Sequence, residues 1–168
     1  MEIRALTPED AAAYWEVRLE ALEVESSAFG MAPEEFRATT VAEMAQRLRE
    51  MPAESFYLGA FDGEMLVGIA TFIRGTRVKE KHKGHVYGVY LRASHRGKGM
   101  GREMLGVLLN RAKRGAGLEQ VLLAVATTRE PAGKLYRSLG FEVYGTEPRA
   151  LKDGDEYIDE HLMILKVR

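Results

Sequence analysis

The chain has 168 residues, of which 46% are apolar and 29% charged, and its formal net charge is −1. This length and balance predict one globular domain, residues 1–168, with a sizeable core. The near-neutral charge disfavours nucleic acid as a partner, and the lack of cysteine excludes disulfides, a cysteine nucleophile and cysteine-ligated metal.

The first predicted elements are a strand and a long helix. Glu2 to Leu6 predicts the strand, and no apolar core of a secretory signal is present there. Thr7 and Pro8 form a typical helix start, and the helix runs to about Val24 with an apolar stripe of Tyr14, Trp15, Leu19 and Leu22.

No apolar run approaches the roughly 18 residues of a membrane span. We therefore expect a cytoplasmic protein with no membrane partner.

A loop and a second helix follow. The stretch from Ser26 to Arg37 contains Gly30 and Pro33 and is predicted to be a loop. Thr40 and Glu43 then match a capping box, which predicts the start of the second helix.

The next region predicts three strands. Phe56 to Phe61 and Met65 to Ile73 are joined through Asp62-Gly63, a strong hairpin signal. A charged turn, residues 79–84, leads into the third strand, which ends at Leu91.

A glycine-rich stretch, Arg96-Gly97-Lys98-Gly99-Met100-Gly101, separates that strand from an amphipathic helix pattern running from Arg102 to Arg114. Glycines let the backbone approach a phosphate closely, and the first turn of a helix offers N–H groups without internal partners. The sequence therefore predicts an anion site at this turn. The buried face of the helix is expected to contain Met100, Met104, Leu105, Leu108 and Ala112.

Two common phosphate-binding loops do not fit this stretch. The string G-x-x-x-x-G-K-[ST] does not occur in the chain. The dinucleotide fingerprint G-x-G-x-x-G requires glycine where Arg102 stands, and the following strand, Val121 to Ala126, ends in Thr127 and Thr128 rather than an acidic residue. A nucleotide-dependent oxidoreductase is therefore disfavoured.

The C-terminal region predicts a strand, a short helix and two further strands. After Val121 to Ala126, the helix begins at Pro131 and ends at Gly140. Phe141 to Gly145 and Tyr157 to Val167 are the expected last strands. The element order predicts an α+β fold in which an antiparallel meander precedes a parallel strand–glycine loop–helix crossover.

A third phosphate-binding pattern, R-x-x-G-x-G, fits at Arg96, Gly99 and Gly101. The segment from Pro131 to Phe141 also matches the helix pattern A-x-x-L-Y-x-x-L-G-F. In these two motifs the chain resembles the GNAT superfamily of acyl-CoA N-acyltransferases, and the resemblance is firm from about Gly84 to Tyr144. It implies a mixed central sheet of six to seven strands flanked by helices.

The resemblance implies an N-acetyltransferase that moves the acetyl group of acetyl-CoA to a primary amine by direct attack in a ternary complex, without metal. The acceptor is expected to be a small-molecule amine or a protein amine. Homodimers are frequent in the family, although no segment of this sequence identifies an interface. The alternative is a non-catalytic acyl-CoA-binding or regulatory module on the same fold.

The resemblance also implies how acetyl-CoA is held. The pyrophosphate is expected on the N–H groups from Gly97 to Arg102, with added charge from Arg96, Lys98 and Arg102. In the family, the strand before the loop offers free main-chain groups to the pantetheine and the acyl carbonyl. The matching residues here are Val89, Tyr90 and Leu91.

Tyr136, in the second motif, is the expected acid that protonates the leaving thiolate. One departure weakens this match, because Arg129 stands three residues before Ala132, where the family often has an asparagine that contacts CoA.

His85 is the first choice for the base that accepts the amine proton, because its strand leads to the reaction centre, and Tyr87 lies on the same strand. The rivals near the last strand are Glu156, Asp159, Glu160 and His161.

The family usually builds its acceptor site between the first two helices. This places the expected site in residues 26–37. Phe29, Met31 and Phe36 are either an apolar wall of that site or core residues, and Glu34 with Glu35 either attract a cationic amine or are ordinary surface residues.

Overall fold

The computed structural model describes residues 1–168 and has one seven-stranded sheet with strand order β1-β2-β3-β4-β5-β7-β6. All neighbouring strands are antiparallel except β4 and β5, which are parallel. The predicted meander and crossover are therefore confirmed. The strands are β1 Glu2–Ala5, β2 Phe56–Asp62, β3 Met65–Arg74, β4 Lys83–Leu91, β5 Gln120–Ala126, β6 Glu142–Asp153 and β7 Glu156–Lys166.

Five helices accompany the sheet. A 3-10 turn at Pro8–Asp10 leads directly into the first of them, as the Thr7-Pro8 signal predicted. None of the helices combines the length and apolarity needed to cross a membrane. The helices are α1 Ala11–Val24, α2 Pro33–Arg37, α3 Val41–Arg49, α4 Met100–Lys113 and α5 Glu130–Ser138.

The apolar side chains form two clusters that involve different helices. One cluster joins α1, α2 and α3 to the meander and contains the buried Tyr14 and Leu22, with Trp15 and Leu19 partly buried beside them. The other joins α4 and α5 to the strands and contains the whole predicted face of α4, from Met100 to Ala112. Both helix stripes predicted from the sequence are confirmed.

Two local signals are also confirmed. The Glu43 N–H donates to Thr40 Oγ1 over 3.1 Å, and the Thr40 N–H donates to Glu43 Oε2 over 2.7 Å, which is the capping box that starts α3. Asp62 pairs with Met65 across the hairpin turn, and Gly63 has φ +59° there.

Two predictions need correction. The stretch from 26 to 37 is not all loop, because Pro33–Arg37 forms a helical turn in which Glu35 Oε2 accepts from the Ala32 N–H over 2.9 Å. The strand predicted to end at Gly145 continues to Asp153. Most of its side chains are exposed, and its register shifts at two points, so it lacks the apolar alternation that reveals a strand.

The strand β4 parts from β5 after the first three of its nine residues. The two strands pair only through Lys83, Gly84 and His85, while β5 continues to pair with β7 as far as Ala126. Beyond His85, a bulge shifts the register of β4 against β3, with Gly88 at φ +59°. The sheet therefore opens between the second halves of β4 and β5.

Candidate active site

The glycine loop ends in a set of free main-chain donors. Gly99 precedes α4 with φ +79°, and the first helical hydrogen bond runs from the Glu103 N–H to the Gly99 carbonyl over 3.0 Å. The N–H groups from Gly97 to Arg102 have no acceptor within the protein. No atom lies within 4 Å of where a Cβ would stand at Gly97 or Gly99. This cradle fits a phosphate-sized anion at a helix N-terminus.

The basic side chains of the loop are mostly engaged elsewhere. Arg96 Nε donates to the Leu91 carbonyl over 2.7 Å, and Arg102 Nη1 donates to Ser138 Oγ at the end of α5 over 2.7 Å. Lys98 is exposed and reaches only the Ser94 carbonyl, 3.5 Å away. The main chain, rather than a cluster of free cations, is therefore the principal anion-binding element.

Beside this loop lies a cavity of about 380 Å³, the loop cavity, between the end of β4, the start of α4 and one face of α5. Of the residues expected to hold acetyl-CoA, the structure places nine on it; Lys98 is not among its lining residues. The nine are Val89, Tyr90, Leu91, Arg96, Gly97, Gly99, Met100, Gly101 and Arg102.

A second cavity of about 470 Å³, the strand cavity, occupies the opening between β4 and β5. Its lining includes His85, Tyr87 and Val89 from β4 and the residues of β5 from Leu122 to Ala126. Five residues line both cavities: Glu25, Val89, Arg129, Ala132 and Tyr136. The two cavities therefore meet beside Tyr136.

Tyr136 lies on α5 and is 7% exposed, and its ring packs edge-on against Phe141, with 6.0 Å between ring centroids. Burial raises the pKa of Tyr136 to about 12, because the ionised phenolate would lose its hydration. The phenol is therefore protonated at neutral pH and is a hydrogen-bond donor at the junction of the cavities.

His85 faces the strand cavity from β4 and stacks on Tyr87, with 5.8 Å between ring centroids. Burial lowers the pKa of His85, and the positive charge of Lys83 lowers it further. Its imidazole is therefore neutral at pH 7 and able to accept a proton.

The rivals of His85 lie in different places. Glu160 lines the strand cavity, and burial together with the negative charge of Glu147 raises the pKa of its carboxyl. Asp159 accepts the Arg149 N–H over 2.7 Å, and His161 Nδ1 lies 3.0 Å from Thr146 Oγ1. Glu156 is exposed at the β6–β7 turn. Among the rivals, Glu160 alone faces this cavity.

The expected acceptor wall is only partly present. Phe29 and Gly30 line the strand cavity, but Phe36 is 3% exposed and stacks on Trp15 in the core. Met31 lines a different depression, and Glu35 caps the helical turn described above. The acidic pair is thus not directed at this cavity.

Two charged residues at these cavities were missed by sequence reasoning. Glu25 forms ion pairs with Arg96 and Arg129, each over 2.6 Å, where the two cavities meet. Arg18, from α1, lines the strand cavity. Neither residue belongs to a motif, and a single charged residue in or just after a helix carries no sequence signal of its position. The structure contains no cluster of three or more histidine, aspartate or glutamate side chains that could hold a metal ion.

Comparison with known proteins identifies the family and the fold. Residues 3–162 match the model of the acetyltransferase (GNAT) domain, whereas no curated protein sequence matches the chain. The GNAT-family acetyltransferase structure from Streptococcus pneumoniae is similar with a TM-score of 0.89 and 23% identity, over 99% of each chain.

Two further structures of this fold belong to proteins that are named for different acceptors. A phosphinothricin acetyltransferase from Sinorhizobium meliloti, solved with acetyl-CoA, has a TM-score of 0.83 and 22% identity over 98% of this chain and 87% of its own. A ribosomal-protein-alanine N-acetyltransferase from Brucella melitensis has a TM-score of 0.80 and 22% identity over 99% and 100%. At such identities these likenesses establish the fold and leave the acceptor open.

Proposed function

The chain belongs to the GNAT family of acetyltransferases, and on that premise we propose that it transfers the acetyl group of acetyl-CoA to a primary amine by direct attack in a ternary complex. The observation that carries the proposal is the junction of the two cavities at Val89 and Tyr136. A thioester bound from the loop cavity and an amine bound from the strand cavity meet there.

In this proposal the loop cavity binds acetyl-CoA. The free N–H groups from Gly97 to Arg102 bind the pyrophosphate. The pantetheine follows the main chain of Val89, Tyr90 and Leu91, which has no partner strand on the β5 side. The same main chain polarises the thioester carbonyl as negative charge develops on its oxygen.

The proton steps are assigned to two residues. The amine nitrogen attacks the thioester carbon, and the amine gives one proton to the neutral imidazole of His85, directly or through a water. The C–S bond then breaks, and Tyr136 donates a hydrogen bond to the departing sulfur. Because a thiol has a pKa of about 8.5 and the pKa of Tyr136 is about 12, Tyr136 stabilises the thiolate chiefly as a donor. Coenzyme A takes its proton from solvent after release.

Tyr136→Phe tests this function. We expect the rate of thiol release from acetyl-CoA, measured with a panel of amines, peptides and aminoglycosides, to depend on the acceptor in the wild-type protein. Loss of one donor to the developing charge lowers kcat by about 100-fold, while CoA affinity changes little because the ring and its packing on Phe141 remain.

The outcomes separate the candidate functions. Acceptor-dependent release that falls in Tyr136→Phe supports acetyl transfer with the assigned donor. Equal rates for the two proteins remove Tyr136 from the mechanism. Tight CoA binding without release for any acceptor favours a non-catalytic acyl-CoA-binding module.

A further inference from the structure

Among the charged side chains that line the strand cavity, Arg18 is a cation with neither a role in the proposed proton steps nor an ion pair within the protein. Arg18 extends from α1 with its guanidinium carbon 4.8 Å above the centre of the Phe29 ring. A Cβ at Gly88, the bulge residue of β4, would lie 3.3 Å from Arg18 Nη1, so the absent side chain leaves room for the guanidinium. Arg18 Nη1 is buried and has no hydrogen-bond partner.

The other buried or cavity-lining arginines have protein partners. Arg74, which is 4% exposed, donates to the carbonyls of Lys81 and Ala116 over 2.6 and 2.8 Å. Arg129, on the same cavity as Arg18, is paired with Glu25. A buried guanidinium nitrogen without a partner costs free energy because its lost hydration is not replaced. Arg18 is therefore placed to gain a partner from a ligand.

The surroundings of Arg18 restrict the chemistry of that partner. A guanidinium forms two parallel hydrogen bonds with a carboxylate. Arg129 is ion-paired with Glu25, so Arg18 is the unpaired guanidinium of the cavity, and a single carboxylate matches its single charge. Much of the remaining lining is apolar, with Leu122, Leu151 and Leu162 among it.

We propose that the acceptor is a small primary amine that also carries a carboxylate and an apolar side chain, and that Arg18 binds this carboxylate. In an α-amino acid the amine and the carboxylate are bonded to the same carbon, so Arg18 also holds the amine within the cavity that His85 and Glu160 line from other strands. The inference rests on the proposed acetyl transfer for the identity of the amine, but the carboxylate site is testable by binding alone.

The experiment compares leucine, methionine and phenylalanine with their primary amides, which lack the carboxylate and keep the amine. Calorimetric titration into the protein saturated with CoA gives the affinities, and thiol release from acetyl-CoA gives kcat/KM for the same pairs. We expect each amino acid to bind at least about tenfold more tightly than its amide, as for hydrogen bonds to charged groups.

Three variants test the role of Arg18. Arg18→Gln removes the preference for the carboxylate and leaves amide binding within about twofold, and Arg18→Lys retains part of the preference. Arg47→Gln is the matched control, because burial raises the pKa of Tyr14 and Tyr57 and the charges of Arg18 and Arg47 both oppose that rise, while Arg47 does not line the cavity. The melting temperature of ligand-free Arg18→Gln stays near the wild-type value, since Nη1 has no hydrogen bond to lose. If Arg18→Gln fails to fold, Arg18→Lys carries the test.

The outcomes distinguish this inference from the function on which it rests. A carboxylate preference that depends on Arg18 supports the site even if no thiol is released, in which case acetyl transfer fails instead. Equal binding of acids and amides, a preference that survives Arg18→Gln, or binding of neither compound overturns it. Efficient acetylation of the amides, or of peptides with an amidated C-terminus, overturns the carboxylate site but not the proposed acetyl transfer.

Discussion

The loop cavity takes its binding groups from the main chain, whereas the strand cavity takes them from side chains. The N–H groups from Gly97 to Arg102 belong to one continuous turn. Arg18, His85 and Glu160 of the strand cavity come from α1, β4 and β7, which are far apart in the sequence. A site built from one turn needs a short backbone motif, so it is visible in a single sequence. A site built from dispersed side chains needs only that the fold place each of them at the cavity, so it leaves no short pattern in the sequence.

The largest predicted effect is on acetyl-CoA binding in the loop cavity alone. Gly99→Asp puts a carboxylate beside the free N–H groups, and we expect acetyl-CoA binding to weaken by at least about 100-fold. At about 100 times its dissociation constant the ligand stabilises the wild-type protein by roughly 2.7 kcal/mol, and this gain should vanish from the melting curve of the variant.

Gly99→Asn is the matched control for that experiment. Both side chains enter open space and both residue types tolerate the left-handed backbone at this position, so each variant is expected to fold. Only the aspartate adds negative charge, and Gly99→Asn should keep most of the stabilisation by acetyl-CoA. If acetyl-CoA stabilises Gly99→Asp as much as the wild-type protein, the assignment of the loop to the pyrophosphate is wrong.

The second effect belongs to the strand cavity. We expect His85→Gln to lower kcat/KM by about 10- to 100-fold, because general bases contribute at least this much. Burial lowers the pKa of His85 from about 6.5, and burial raises the pKa of Glu160 from about 4.5. The two values approach each other, so the pH at which activity falls does not by itself identify the base.

The slope of the acid limb does identify it. Below the pKa of the base, both the amine and the base must lose a proton, and log kcat/KM falls by about two units per pH unit. Removing the true base reduces this slope to about one. The slope is measured for His85→Gln and Glu160→Gln in parallel, with a constant ionic strength. A slope that changes in Glu160→Gln and not in His85→Gln would transfer the role to Glu160.

The same contrast explains what the sequence reveals about the fold. The capping box at Thr40 and Glu43 and the turn at Asp62-Gly63 are local, and the structure confirms both. The strand β6 has mostly exposed side chains and two register shifts along its length, so hydrophobic alternation does not mark its continuation to Asp153. It is held by pairing with β7, a nonlocal partner that no short pattern encodes.

The sequence predicts less about the site than about the fold. Phe36 and Phe29 have the same side chain and lie seven residues apart, yet Phe36 packs in the core and Phe29 faces the cavity. Their environments depend on how α1 and the following turn pack against β4, which no residue type in that stretch specifies. The sequence could not identify Arg18 for the same reason. Its Nη1 lacks a hydrogen-bond partner because of the packing around it, and no sequence pattern reports that packing.

The smallest predicted effect concerns Glu25, where the two cavities meet. Its carboxylate, with a 15% exposed side chain, pairs with Arg96 and Arg129 and reduces the positive charge available to the CoA phosphates. We expect Glu25→Gln to tighten CoA binding by about two- to fivefold, in line with the modest strength of partly exposed ion pairs.

Calorimetric titration of CoA at low and high salt measures the effect of Glu25→Gln, and the gain should shrink as salt screens the charges. Glu23→Gln is the control, because Glu23 is a nearby α1 glutamate whose ion pair with Arg37 lies on neither cavity. Weaker CoA binding in Glu25→Gln would instead mean that Glu25 orients Arg96 for the ligand. Either sign decides whether the boundary between the cavities restrains the binding of acetyl-CoA or assists it.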